Sequence, residues 1–221
     1  MTSSTQAGVL FDVDGTLLDT NYLHVLAWWR ACRDGGYDDM TMARLHRAIG
    51  MASELLSEQL LGKQDEVVID GHGRHFEELR SLAEALPGAA DLVRACRERG
   101  LSTVLATSGK ADDLDWMLPA IGAGDAVTGS TTSEDVERSK PAPDLLQVAV
   151  DQHGLDPDRT TVVGDTVWDV EAAARAGMPC IGLTSGGISA QELREAGAVE
   201  VYADPADLLA HLEESSLDRR A

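Results

Sequence analysis

Positive charge is scarce in this chain. Eighteen Lys and Arg stand against 38 Asp and Glu, a net charge of −20 at pH 7, and the lysines are only Lys63, Lys110 and Lys140. An acidic field of that strength repels phosphate backbones and anionic lipid, so neither nucleic acid nor a membrane surface is an expected partner. Cysteine is almost as rare. Cys32, Cys96 and Cys180 form an odd set without paired ligand spacing. That pattern argues against a disulfide framework or a zinc site and reads as buried thiols in a reducing cytoplasm. Aromatic residues make up 4%, and Trp28, Trp29 and Trp116 read as packing residues rather than a base-stacking platform. No apolar run is long enough to span a bilayer, and no Lys or Arg precedes Arg30. Neither a transmembrane helix nor a signal peptide is expected. Internal repeats and low-complexity stretches are missing too. What is present is ordinary for a soluble globular protein: 221 residues, 43% hydrophobic and 25% charged, enough for one domain or two small ones around a real core.

Short apolar runs mark the strands. Gly8 to Phe11 ends abruptly in Asp12, the profile of a buried central strand, and similar runs recur at Ser102 to Ala106, Thr161 to Val163 and Cys180 to Leu183. Helical stretches lie between them with clear punctuation. Pro87-Gly88 opens one that Gly100 closes, Pro143 opens one that Gly154 closes, and Thr166 to Ala176 ends at Gly177. Alternating strands and helices predict an α/β fold, a parallel sheet with helices on both faces. One segment breaks the alternation. Between Asp19 and Leu86 only helical periodicity is found, in pieces at Leu23–Asp34, Thr41–Ile49, Ser53–Leu61 and Val67–Leu86. This predicts a core of residues 1–18 and 87–221 carrying an inserted helical module, residues 19–86, of a size to act as a lid. The tail after Leu212 is polar and is expected to fray.

Four pieces of sequence carry chemistry. Asp12-Val13-Asp14-Gly15-Thr16 follows the first strand, at the strand end where parallel sheets hold ligands. Period two puts both aspartates on one side of the chain, and Gly15 permits a sharp exit. Val162-Val163-Gly164-Asp165 is a second strand ending in Asp, with Asp169 four residues on. Carboxylates gathered at one sheet edge repel one another unless a hard cation sits among them, and few-carboxylate sites suit magnesium. A carboxylate at a helix N-terminus also has a purely structural use, which applies to Asp169 taken alone. Thr107-Ser108-Gly109-Lys110 ends the second core strand in hydroxyls and free N–H groups suited to phosphate. Ser139-Lys140-Pro141-Ala142-Pro143-Asp144 fixes one of the few lysines in front of two prolines, and an ammonium there can meet both carboxylate and phosphate.

In order along the chain, Asp-Val-Asp-Gly-Thr, Ala-Thr-Ser, Ser-Lys-Pro-Ala-Pro-Asp and Gly-Asp-Thr-Val-Trp-Asp resemble the four motifs of the haloacid dehalogenase-like (HAD) superfamily. The helical insert resembles the α-helical cap of its phosphoglycolate phosphatase and β-phosphoglucomutase branch. The resemblance implies a Rossmann-like core with an inserted cap and an aspartyl-phosphate mechanism. Asp12 is then the nucleophile, and Asp14 the general acid and base, with a raised pKa expected for the acid role. Thr107 and the backbone at Ser108 and Gly109 hold the phosphoryl group, while Lys140 offsets its charge. Mg2+ is held by Asp12, the Asp14 carbonyl and Asp165, with Asp169 as a further metal residue, bound to the ion directly or through a group that is. Dehalogenases and phosphonatases on this scaffold lack an acid at the Asp14 position, so phosphate-ester chemistry is favoured.

Gly15, His24 and Arg47 complete the substrate-side candidates. His24 resembles a β-phosphoglucomutase histidine that assists proton transfer, though a partly buried hinge histidine is the plainer reading. The mutase also needs basic residues around its cap glycine. Gly50 here is flanked by Ile49 and Met51, and Arg47 is out of register. His72 and His75 read as solvated lid surface, and Ser185-Gly186-Gly187 as a plain loop. The expected activity is Mg2+-dependent hydrolysis of a small phosphorylated metabolite, of phosphoglycolate or sugar phosphate type, in the cytoplasm. A sugar phosphomutase and a non-catalytic binding protein on the same scaffold are the alternatives, and the oligomeric state stays open.

Overall fold

The structure, a computed structural model, describes residues 6–217. It opens on strand β1 (Gln6–Phe11), which is buried from Ala7 onward. Helices α1 (Asn21–Asp34), α2 (Met42–His46), α3 (Ser53–Leu61) and α4 (Glu66–Leu79) follow before the chain returns. The rest alternates: α5 (Ala89–Glu98), β2 (Ser102–Ala106), α6 (Leu114–Ile121), β3 (Gly129–Thr131), α7 (Asp144–His153), β4 (Leu155–Gly164), α8 (Val167–Ala176), β5 (Cys180–Leu183), α9 (Ala190–Ala196), β6 (Glu200–Tyr202) and α10 (Pro205–Ala210). All six strands run parallel in the order β3-β2-β1-β4-β5-β6. β1 is therefore central, and its register aligns Phe11 with Leu105 of β2 and with Val163 of β4. Three strands thus end level, and the residues that follow them emerge side by side.

Alternation along β1 explains the layers. Val9 and Phe11 face a cluster with Leu92 and Val93 of α5, Met117 of α6 and Leu208 of α10. Leu10 faces the opposite way, onto Leu145 of α7, Val170 and Ala172 of α8 and Leu193 of α9. Both sheet faces are covered, as a parallel sheet requires. Helices α1 to α4 have an apolar cluster of their own, in which Val25, Trp28 and Ala31 of α1 meet Leu45, Leu56 and Val68. Cys32, Cys96 and Cys180 are buried free thiols, as expected from the sequence. No helix among the described residues is long and apolar enough to cross a membrane.

Several expected boundaries move. β4 begins at Leu155, well before Thr161, and β3 and β6 were not anticipated because three-residue edge strands leave no periodicity to read. The helix expected to reach Leu86 stops at Leu79, followed by a single tight turn at Arg80–Leu82. The chain must straighten there, because Leu18 bridges Ala85, Asp19 N–H donates to Glu84 O and Leu86 N–H donates to Leu17 O, each at 2.9 Å. The expected helix Thr41–Ile49 is regular only over Met42–His46. The tail does not fray where it is described. Ser215 and Leu217 are buried, and Ser216 N–H donates to the Glu200 carboxylate; residues 218–221 of the expected frayed tail lie outside the described residues.

Candidate active site

Asp12 leaves β1 at 5% exposure, directly against Lys140, whose ammonium is 1% exposed. Lys140 Nζ donates to Asp12 Oδ1 at 2.5 Å and to Asp169 Oδ1 at 2.8 Å. Asp169 is the third residue of α8. Its other oxygen accepts from the Thr166 N–H and hydroxyl, so the same carboxylate caps the helix and anchors the lysine. Asp165, at the end of β4, accepts from Thr16 Oγ1 at 3.0 Å and from Asn21 Nδ2 at 2.7 Å. One oxygen from each of Asp12, Asp165 and Asp169 falls within 4.8 Å of the others, all three buried.

These carboxylates destabilise one another's charged forms. Burial pushes the Asp12 carboxyl up to about 7; the Lys140 ammonium opposes the rise, while Asp169 and Asp14 add to it. Asp165 is raised well above the usual carboxylate range by burial and then by Asp12 and Asp169. Lys140 is held protonated, its burial outweighed by the two carboxylates it touches. Three crowded oxygen donors with one ammonium suit a small hard cation. The chemistry of the set therefore fits Mg2+.

Asp14 stands apart from that cluster. The expected gathering of four carboxylates is a gathering of three, and Asp14 turns toward α1. Thr20 Oγ1 donates to its Oδ1 at 2.5 Å, and His24 Nε2 lies 3.2 Å from the same oxygen. The expected raised pKa is not found either. Burial alone would lift this carboxyl, but His24, through charge and hydrogen bond, and the Thr20 hydroxyl bring it below its ordinary value. His24 Nδ1 in turn lies 3.1 Å from His72 Nε2 of α4. His24 stacks on Phe76 and His72 on Trp28, with centroids 3.8 and 4.3 Å apart. His72, read from the sequence as solvated surface, is thus part of a chain Asp14–His24–His72. Burial holds its imidazole well below the usual value, and so neutral. His75 keeps to the expected lid surface, where it pairs with the exposed Asp34 at 2.7 Å.

A cavity of about 550 Å3 opens over Asp12 and Asp14. Its walls include His24, His72, Ser108 and Gly109, together with Ile49 to Glu54 and Leu56 from the α2–α3 region and Lys110 and Asp113 from the core. Thr107 sits beneath, fully buried, its hydroxyl accepting from the Gly109 N–H at 2.9 Å. Two expected substrate residues lie elsewhere. Arg47 pairs with Glu192 of α9, outside the cavity wall, because an exposed carboxylate of the core stands within its reach. Gly15 does not line the cavity. At φ 74° its bare Cα leaves the room that Asn21 and Asp165 occupy, and a Cβ there would come within 2.4 Å of Asn21 Nδ2. Among known protein families, the haloacid dehalogenase-like hydrolase model matches residues 9–183.

The chain belongs to the haloacid dehalogenase-like hydrolase family. A solved hydrolase of this fold from Pseudomonas syringae is 38% identical, with a TM-score of 0.88 over 95% of this chain and 99% of that one. Validoxylamine A 7'-phosphate phosphatase of Streptomyces hygroscopicus subsp. limoneus is 28% identical over 80% of this chain and 84% of the relative. Phosphoglycolate phosphatase of Pseudomonas putida is 26% identical over 80% and 69% respectively.

Within this haloacid dehalogenase-like hydrolase, two contributors were not found by sequence reasoning. Asn21 drew no reading from the sequence, although its side-chain amide donates to both Asp165 and the Gly186 carbonyl. The loop taken as plain is packed onto the site. Ser185 Oγ donates to Gly15 O at 2.6 Å, and a Cβ on Gly186 would fall 1.6 Å from Asp165 Oδ2. Only glycine fits there.

Proposed function

We propose that the protein is a Mg2+-dependent phosphatase that hydrolyses phosphate monoesters of small metabolites through an aspartyl phosphate on Asp12. The observation that carries this reading is Asp12 itself: buried, lining the cavity, with one oxygen held by Lys140 at 2.5 Å. Asp12 attacks phosphorus, the ester P–O bond breaks, and the departing alkoxide takes a proton from Asp14. Water then attacks the acyl phosphate while Asp14 accepts its proton, and the Asp12–phosphorus bond breaks to release phosphate. The Ser108 N–H and the Thr107 and Ser108 hydroxyls would serve the phosphoryl oxygens, with Gly109 N–H holding Thr107 Oγ1 beside them, and Lys140 offsets their charge. Asp12, Asp165 and the Asp14 carbonyl would hold Mg2+, with Asp169 keeping Lys140 in place. The ion supplies charge neutralisation between an anionic nucleophile and an anionic ester. Residues 19–86 serve as the cap that excludes bulk water.

Asp14 rests below its ordinary pKa, so the proton it delivers must be supplied, and His24 at 3.2 Å is the group placed to share one. His72 fixes the imidazole on its other side. This support for proton transfer speaks against a mere binding protein, which has no use for it. The engagement of Arg47 by Glu192 supports hydrolysis over phosphomutase transfer, which must hold two phosphates. The buried thiols suit a cytoplasmic setting.

The test is phosphate release from p-nitrophenyl phosphate and alkyl phosphates, with Mg2+ and then with EDTA. Turnover is expected only with the metal, and equal rates in EDTA would overturn the reading. Asp14→Asn adds a sharper outcome. Read in the first half-reaction, as single-turnover release of the alcohol, alkyl esters need a proton on the leaving oxygen and should slow by about 10²- to 10⁴-fold, while p-nitrophenolate leaves without one and should lose far less. Hydrolysis of the acyl phosphate, where Asp14 is the base, slows for both. A uniform loss of alcohol release on both would remove Asp14 from the acid role.

A further inference from the structure

Asp165 is held on both oxygens. Thr16 Oγ1 donates to Oδ1 at 3.0 Å, and Asn21 Nδ2 donates to Oδ2 at 2.7 Å. Donors to a buried carboxylate favour its anion and fix the directions it leaves open for a cation. Thr16 belongs to the turn after β1, whereas Asn21 is the first residue of α1 and reaches the carboxylate from the helical side. Its amide is held at one end only. Nδ2 also donates to Gly186 O at 3.3 Å, while the buried Oδ1 has no hydrogen-bond partner among the described residues. Two acceptors therefore fix the amide, and turning it over would set Oδ1 against the carboxylate.

The second acceptor is itself held from α2. His46 Nε2 donates to Gly186 O at 2.8 Å, and since a carbonyl only accepts, that nitrogen carries a proton. The imidazole lies flat on Tyr22, the residue after Asn21, with ring centroids 5.1 Å apart and planes 9° from parallel. A Cβ on Gly187 would come within 2.8 Å of the same nitrogen, as one on Gly186 would of Asp165. The two glycines are thus clasped between the His46 ring on one side and Asp165 on the other. His46 itself lies outside the cavity wall.

We infer that His46 is a positioning residue of the metal centre: through the Gly186 carbonyl it holds the Asn21 amide against Asp165, so that the seating of α2 on the β5–α9 loop sets the affinity for the ion. This rests on the Mg2+ part of the phosphatase reading. Such coupling is reciprocal, so α2 is seated more firmly in the loaded protein.

The test is calorimetric titration of Mg2+ into the metal-free protein, with no ester present, for the wild type, Asn21→Ala, His46→Phe and His46→Gln. Asn21→Ala removes a direct partner of Asp165 and should weaken Mg2+ binding by about 10- to 100-fold. His46→Phe keeps a ring on Tyr22 but loses one hydrogen bond, which should weaken binding by about three- to tenfold. His46→Gln, whose amide can donate to the same carbonyl, should recover most of that. Turnover of p-nitrophenyl phosphate by His46→Phe should be deficient at low Mg2+ and recover as Mg2+ is raised. A merely structural role would lower the melting temperature of His46→Phe in EDTA and leave its Mg2+ affinity alone. Wild-type affinity in His46→Phe, or a loss that His46→Gln does not repair, overturns this inference; the phosphatase reading then still stands on Mg2+-dependent turnover by the wild type. A wild type that binds no Mg2+ overturns both.

Discussion

Asp12→Asn is expected to abolish phosphate release, by on the order of 10³-fold or more, and yet to leave the metal-free protein at least as stable as the original. The activity loss follows from the amide, which cannot form the covalent intermediate. The stability outcome follows from the crowding of Asp12, Asp165 and Asp169. Asp12 is raised from 3.8 to about 7 in the folded protein. Between those values the folded state binds more protons than the unfolded one, so metal-free stability falls as pH climbs through that window. The asparagine carries no such penalty, and its oxygen can still accept from Lys140. Melting curves in EDTA at pH 5 and pH 8 would check this. The wild-type protein should lose stability across the interval by more than the variant does, and Mg2+ should restore most of the wild-type loss at pH 8. A variant that melts well below the wild type at pH 8 in EDTA would contradict the account.

Lys140→Met should do the opposite. It removes the single buried cation between Asp12 and Asp169, leaving both carboxylates without their partner in a site that excludes water. Breaking a buried pair from one side costs about 3–5 kcal/mol. For a chain of this length that corresponds to a fall of roughly 10 °C in Tm. Turnover should fail as well, since phosphate approaching Asp12 would lose its countercharge. The loss of stability should be largest in EDTA and at neutral pH, and smaller near pH 4, where protonation relieves the carboxylates. Calorimetry with and without metal separates these cases. Unchanged melting in EDTA would mean that Lys140 is not the counterion the geometry makes it.

The carboxylates were legible because each ends an apolar run, and strand ends in a parallel sheet converge. Phe11, Leu105 and Val163 stand level in the sheet, so motifs far apart in sequence were bound to meet. Periodicity located α1 and α3 almost to the residue, and glycines at Gly154 and Gly177 closed α7 and α8 as anticipated. What escaped was governed by tertiary placement. Nothing local in Gly71-His72-Gly73 indicates that one imidazole reaches His24, because that contact depends on how α4 packs against α1. Asn21 is an ordinary helix-start residue until Asp165 arrives beside it. Arg47 lies near the cap glycine in sequence, but the exposed Glu192 of α9 claims it. The carboxyl of Asp14 followed the same logic, since crowding was foreseen but the Thr20 and His24 donors that reverse its effect were not.

The neck joining helices α1 to α4 to the sheet has a consequence of its own. The outgoing and returning segments are hydrogen-bonded to each other at Leu18 and Ala85, with Asp19–Glu84 and Leu17–Leu86 bonds on either side. Because the insert departs and comes home at one spot, its length makes no demand on the strand register beneath it. Helices of another size or wall chemistry can be grafted beyond the first turn of α1, so long as Thr20, Asn21 and His24, which hold Asp14 and Asp165, are kept. Divergence of specificity and preservation of the phosphoryl machinery are thereby uncoupled.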